Sequence, residues 1–325
     1  MIPSLDAARE ARTLLRRYMQ PSRLVASPAL SALAGTDVHL KLESDLPTGS
    51  FKLRGALWAL AANSARGIEE VTASSTGNHG AAVAYAARAF GMRATIFLPA
   101  DPNPVKRARI AALGATIVEA GGDLAAAMTE AAAHAKRPDV YSLSDATDPD
   151  LPAGPATIAL ELVEQLPSVD TIVVPMGDTA LIRGVAAAAR QLVPAVRIVG
   201  VQATRAPSYY LSWKCGEATA TETCDTIADG LATRLPDPEN VRAIRELVDE
   251  VVLVTDEEMI AAIGHLALDE HVVAEPAGAA ATAAMLHARF RGGRHVVLLV
   301  TGANVRPELL RSAICGPRHE KDVSP

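Results

Sequence analysis

Lys52 lies in the run Pro47-Thr48-Gly49-Ser50-Phe51-Lys52-Leu53-Arg54-Gly55-Ala56, at the junction of a turn and a helix, flanked by Ser, Thr and Gly with no carboxylate in the segment. An amine in a confined, partly desolvated place loses its proton more readily than a solvated one. It then becomes a nucleophile toward an aldehyde, with an imine as the product. A single lysine in a first helical turn is more often a solvated cation, so this reading depends on what else the chain supplies.

Two further segments could bind anions. Ser74-Ser75-Thr76-Gly77-Asn78-His79-Gly80 follows a short β-rich run and precedes a helix expected over 79–90. Backbone N–H groups at such a junction converge on the positive end of a helix and suit a carboxylate; Ser and Asn can equally serve there as local caps. Val174-Pro175-Met176-Gly177-Asp178-Thr179-Ala180-Leu181-Ile182-Arg183-Gly184 has the same strand-turn-helix form, and its N–H groups suit a phosphate. Taken alone, that turn is an ordinary strand-to-helix connection. Glu275 precedes Pro276-Ala277-Gly278-Ala279, a turn into a small-residue helix, and Thr301 closes the apolar run His295–Val300 with a hydroxyl.

Lys41-Leu42-Glu43, Pro47-Thr48-Gly49 and the following Ser50-Phe51-Lys52-Leu53-Arg54-Gly55-Ala56 together resemble the cofactor-lysine segment of the serine/threonine dehydratases, pyridoxal-phosphate enzymes of fold type II (tryptophan-synthase-β-like). The resemblance continues in register through Ser74 to Gly80, Thr226-Ile227-Ala228-Asp229-Gly230, Glu275 to Ala279 and Thr301-Gly302-Ala303-Asn304. It implies pyridoxal 5'-phosphate held as an imine by Lys52, which is also the catalytic base, with Phe51 beside it. It further implies that Gly177, Asp178, Thr179, Ala180 and Leu181 surround the cofactor phosphate, and that Thr301 meets the ring nitrogen. Asn78 reaches the ring hydroxyl, Glu275 lies near the ring and the substrate amine, and Ser50, Ser75, Thr76, Asn78 and His79 hold the substrate. Thr76 stands where racemising relatives carry a catalytic hydroxyl. A neutral partner at the ring nitrogen makes a milder electron sink than an Asp would, which favours prompt loss of a β-substituent.

The chain also departs from that family. The phosphate loop of its relatives is usually glycine in all four positions from Gly177 to Ala180, whereas Asp178 and Thr179 stand here. A carboxylate repels a phosphate dianion, so Asp178 is expected to turn its side chain outward while Thr179 adds a hydroxyl donor. Gln202 and Ser208 occupy the places where several relatives have cation-binding carboxylates, so no metal site is expected. Ala153-Gly154-Pro155-Ala156-Thr157 departs from A-G-Q-G-T, which speaks against a phosphate-side role for that loop.

Short β-rich runs alternating with Ala-rich helical stretches predict an α/β fold of stacked βαβ units. Strands are expected at Val38–Leu42, Val71–Ala73, Ala94–Leu98, Thr116–Val118, Thr171–Val174, Arg197–Val201, Val251–Val254 and His295–Val300. Alternation in the first of these predicts a half-exposed strand, with His39, Lys41 and Glu43 outward. The Pro- and Asp-rich stretch Asp145–Pro155 suggests a boundary. The expected division is a large cofactor lobe of residues 1–46 and 151–325 and a small substrate-carboxylate lobe of residues 47–150. Tyr209, Tyr210 and Trp213 could wall a pocket or an interface, or simply pack in the core.

The 325 residues are 49% hydrophobic and 21% charged, with a net charge of -6 and three cysteines. That charge and the scattered basic residues argue against nucleic acid. The cysteines form neither a disulfide framework nor a zinc pattern, and no apolar run approaches the length of a membrane span. A cytoplasmic enzyme with a small-molecule amino-acid substrate is expected, as a homo-oligomer, most simply a dimer. Only Arg306–Pro325 follows the last motif, so no appended regulatory domain is expected. The expected reaction is elimination of water from a 3-hydroxy amino acid such as threonine, serine or a bulkier analogue. The rival readings are a β-replacement synthase, an amino-acid racemase and a non-catalytic binding module. A nucleotide site is disfavoured, since neither a Walker loop nor G-x-G-x-x-G after a strand occurs.

Overall fold

The computed structural model describes residues 2–75, 77–100, 104–120 and 124–316. Ten strands are assigned: β1 (Arg23–Ala26), β2 (Asp37–Leu42), β3 (Glu70–Ser74), β4 (Arg93–Leu98), β5 (Thr116–Glu119), β6 (Val140–Ser142), β7 (Thr171–Pro175), β8 (Arg197–Ala203), β9 (Glu250–Val254) and β10 (His295–Val300). They form a six-stranded sheet in the order β1-β2-β10-β7-β8-β9 and a four-stranded sheet in the order β5-β4-β3-β6. Only the β1–β2 pair is antiparallel.

A parallel sheet must be covered on both faces, and its strands are therefore apolar throughout rather than alternating. β10 illustrates this: Val296, Leu298 and Val300 enter one core, while Val297 and Leu299 enter a second core on the other face. The helix Ala180–Leu192 buries Ala186, Ala187, Ala188 and Ala189 in the second core, and the helix Pro276–Leu286 buries Ala279, Ala280, Ala281 and Ala283 in the first. Alanine allows such close approach because it carries little bulk and favours the helix. A third core, with Val71, Ala73, Ile96, Leu98, Ala82 and Ala86, serves the smaller sheet.

The eight expected strands are present, and β1 and β6 are additional; at four and three residues they are too short for a periodic signal. β1 and β2 place the N-terminal stretch in the six-stranded sheet. β2 is not half-exposed as its alternation suggested: Lys41 and Glu43 are both fully buried. The strand lies between β1 and β10, and its charged residues are neutralised from the helices beside it. Lys41 Nζ donates to Glu161 at 2.7 Å, and Arg54 bonds both Glu43 (2.7 and 2.8 Å) and Glu161 (2.6 and 2.9 Å). The Asp145–Pro155 stretch joins β6 to the helix Ala153–Gln165, whose first residues already include Pro155.

Candidate functional site

The helix Lys52–Ala65 begins against the end of β10. Ser50 bridges Gly302, and the Phe51 N–H donates to the Thr301 carbonyl at 3.1 Å. Two bonds thus bring Lys52 and Thr301, far apart in sequence, to one place. A cleft opens there, lined by Phe51, Lys52, Asn78, Glu275, Thr301 and the stretch Gly177–Leu181. It lies at the carboxyl ends of parallel strands, where ligands of open α/β sheets bind. Every residue expected to touch the cofactor is on its wall.

The Gly177–Leu181 turn links β7 to the helix Ala180–Leu192. That helix has no side-chain cap, so its first N–H groups lack a partner within the helix or from its N-cap. Gly177 is required here, because a Cβ at this position would overlap the Gly230 carbonyl oxygen. Thr179 adopts a left-handed φ of 68°, a conformation that a glycine would adopt without strain. Its hydroxyl accepts from Arg183 Nε at 3.1 Å, which leaves its own proton to be donated.

Asp178 lies on the cleft wall, and its Oδ1 accepts from the Thr233 hydroxyl at 3.0 Å. Burial, followed by the nearby charge of Asp145, pushes the Asp178 carboxyl above its usual range.

The second helix start, at Asn78, also lacks a side-chain cap. Ser75 Oγ accepts from the Gly77 N–H at 3.2 Å, whereas Asn78 turns to other partners. Its amide nitrogen donates to Glu275 at 2.6 Å and its oxygen accepts from Asn304. Glu275 precedes the helix Pro276–Leu286 and is held by its own N–H donating to the Gly302 carbonyl at 2.9 Å. His79 is buried, and its Nε2–H donates to the Leu143 carbonyl at 3.0 Å. Ser50, Ser75 and His79 lie next to the cleft but not on the wall of the cavity described. Among the described residues Ser50 Oγ is buried without a hydrogen-bond partner, as is Ser74 Oγ. Thr76 lies outside the described residues.

Asp145 is the site residue that the sequence did not single out. It forms an ion pair with Lys52, and its Oδ1 stands 3.7 Å from His79 Nδ1. Burial works against its charge, yet Lys52, His79 and Arg183 together hold its carboxyl below the usual range. Its place on the loop after β6, at the carboxyl end of a parallel strand, was the available signal.

Gln202 and Ser208 are engaged in bonding: Gln202 Oε1 accepts from the Tyr210 N–H at 2.8 Å, and Ser208 donates to the Thr233 carbonyl at 2.6 Å. Tyr209 is a core residue whose hydroxyl accepts from the Asp237 N–H at 3.1 Å and from Asn240 at 3.2 Å. The segment Ala153–Thr157 packs on the helix Lys52–Ala65, with the Thr157 hydroxyl accepting from Arg54 at 2.8 Å. All three cysteines are free thiols.

Pyridoxal phosphate fits this site. A lysine faces the cleft, an uncapped helix start and a glycine-requiring turn stand where a phosphate would sit, and an uncharged hydroxyl lies at the strand end. The family model for pyridoxal-phosphate dependent enzymes matches residues 15–302. The L-threonine ammonia-lyase of Thermotoga maritima is 35% identical over 303 residues, covering 93% of this chain and 76% of that one. The catabolic L-threonine dehydratase of Staphylococcus aureus is 32% identical over 310 residues, covering 94% and 90%. Among solved structures, maize serine racemase superposes with a TM-score of 0.91 at 28% identity, covering 97% of this chain and 98% of that one. The processed form of threonine deaminase isoform 2 from Solanum lycopersicum gives 0.88 at 27% identity, covering 95% and 86%. Because the family model extends through both sheets and the cleft between them, the chain belongs to the pyridoxal-phosphate dependent enzymes.

Proposed function

We propose that this enzyme eliminates water from a 3-hydroxy amino acid, with threonine and serine as the first candidates, releasing a 2-oxo acid and ammonia. The observation that carries this reading is that Lys52 and Thr301 line one cleft: an amine that can move a proton shares it with a strand end that offers a neutral hydroxyl. Relatives named for threonine deamination support it.

In this reading Lys52 anchors the cofactor and, once displaced by the substrate amine, takes the α-proton. When bound, pyridoxal phosphate draws electrons from the α-carbon, which makes that proton removable. Phe51 lies beside the amine, with Lys52 Nζ 5.2 Å from its ring centroid, and shields it from water. The N–H groups of the Gly177–Leu181 turn hold the phosphate, joined by the Thr179 hydroxyl. Ser75, Thr76, Asn78 and His79, with Ser50, hold the substrate carboxylate. Asn78 and Glu275, bonded to each other, fix the ring edge and the substrate amine. Thr301 meets the ring nitrogen without adding charge, which favours elimination over a long-lived carbanion.

The same reading takes residues 1–46 and 151–325 as the cofactor lobe, residues 47–150 as the substrate-carboxylate lobe, the cytoplasm as the location and a homodimer as the assembly. A second reading, racemisation, draws support from the likeness to maize serine racemase. Single enantiomers of threonine and serine distinguish the two when 2-oxo acid, ammonia and optical inversion are measured in parallel. Equal release of 2-oxo acid and ammonia with little inversion is the expected result. Inversion that outpaces ammonia release would make the enzyme a racemase.

A further inference from the structure

The loop after β6 is held from three directions. The Leu143 N–H donates to the Thr72 carbonyl at 3.0 Å, and the Leu143 carbonyl accepts from His79 at 3.0 Å. The Ala146 carbonyl accepts from Asn240 at 3.0 Å and from Arg183 at 3.4 Å. Asp145, between these fixed points, has Lys52 as its hydrogen-bonding partner and makes no bond to its own loop among the described residues. Its Oδ1 is buried and has no hydrogen-bond partner among the described residues. The side chains of Lys52 and Asp145 are only 15% and 17% exposed, so water screens their interaction weakly. A loop anchored this firmly to present a carboxylate that contributes nothing to the loop itself is arranged for what the carboxylate touches.

We propose that Asp145 is a positioning residue for the reaction, acting as the fixed counter-ion of Lys52 and keeping on Nζ the proton that Lys52 takes from the substrate α-carbon. This rests on the reading of Lys52 as the cofactor lysine. In the proton transfer the amine lone pair of Lys52 forms the new N–H bond, and the α-carbon keeps the electron pair of the broken C–H bond. The ammonium so formed lies against a carboxylate that was in place beforehand, so no group has to reorganise to stabilise it. The charged groups facing this pair are His79 from the helix Asn78–Ala89, and Asp178 and Arg183 from the turn and helix after β7; the first and last bear positive or proton-accepting nitrogen, and Asp178 is the carboxyl that burial and Asp145 push up.

The test uses the cofactor-loaded enzyme and the pH titration of its lysine-linked absorbance. An adjacent carboxylate favours the protonated form of an amine-derived nitrogen. Asp145→Asn and Asp145→Ser are therefore expected to lower the midpoint by at least about one pH unit, whereas Asp145→Glu, which retains the charge, stays close to wild type. With a saturating 3-hydroxy amino acid, kcat in the two neutral variants falls at least about tenfold and KM changes little. A midpoint unmoved in either neutral variant, or a Glu variant displaced as far as they are, overturns the proposal. Lys52→Ala separates the two claims: if it retains a lysine-linked band, the cofactor-lysine assignment itself has failed, whatever Asp145 does.

Discussion

Two clusters of buried charge lie at either end of the first turn of the helix Lys52–Ala65, and they are built on opposite principles. Around Arg54 every charge is matched. The guanidinium bonds Glu43, Glu161, Thr157 and Ser22, while Lys41 bonds Glu161 and the Ser22 carbonyl. Around Lys52 the matching is incomplete: among the described residues Asp145 Oδ1 and Ser50 Oγ have no hydrogen-bond partner, and Asp178 is pushed toward its neutral form. Only Leu53 separates the lysine from the arginine. The first cluster is saturated and serves to fix the start of the helix; the second is left unsaturated, which is the condition of a place that receives ligand. Unpaired buried polar groups carry a cost that a fold retains where a substrate or cofactor will satisfy them.

The largest expected effect comes from breaking the saturated cluster. Arg54→Ala leaves Glu43 and Glu161 buried without their cation, and removing one partner of such a pair costs about 3–5 kcal/mol. Thermal unfolding should show a large drop in melting temperature and loss of cofactor together. If Arg54→Ala melted like wild type, the network would not be what fixes the lysine helix.

Thr301→Asp tests the neutral strand end of the unsaturated cluster. An aspartate there favours a protonated ring nitrogen and a deeper electron sink. Elimination should slow while α-proton exchange becomes relatively faster, by several-fold or more in the ratio of deuterium incorporation to 2-oxo-acid release. An unchanged ratio with normal cofactor binding would remove Thr301 from control of the reaction.

The smallest effect is expected at Asp178. Because its folded-state carboxyl lies above the usual range, through burial and then Asp145, it remains neutral at low pH and ionises as pH rises through that raised value. Its contribution to stability is thus present below the unfolded-state value and lost as pH increases. An ionised Asp178 also repels the phosphate. Cofactor affinity of wild type should weaken as pH rises, whereas Asp178→Asn should hold it more nearly constant. Parallel pH curves for the two would show that Asp178 stays neutral or faces away.

The cleft was legible in the sequence because its parts are local. Most wall segments are short runs at a strand end or a helix start, and such runs carry the family's motifs. Gly177 through Leu181, Asn78, Glu275 and Thr301 were found through the resemblance that these runs carry, and all of them line the cleft. What escaped depends on distant pairing. Asp145 looked like part of a Pro- and Asp-rich break, because nothing beside it indicates that Lys52 will lie opposite. Lys41 and Glu43 looked solvated because alternation reveals which residues share a face, not whether that face is later covered by a helix bearing the opposite charge. The raised Asp178 carboxyl escaped too, because burial and the charge of Asp145, which lies far off in sequence, produce it.

The central claim is that Lys52 carries the cofactor, and borohydride reduction of the pyridoxal-phosphate-loaded enzyme tests it most directly. Reduction fixes the cofactor to whichever amine holds it, and peptide mass spectrometry identifies that amine. The added mass should appear on the peptide containing Lys52, and Lys52→Ala should show none, with its melting temperature near that of cofactor-free wild type and turnover reduced by at least about a thousandfold. Label on a different lysine, or a Lys52→Ala enzyme that still turns over at an appreciable fraction of the wild-type rate, would contradict the account.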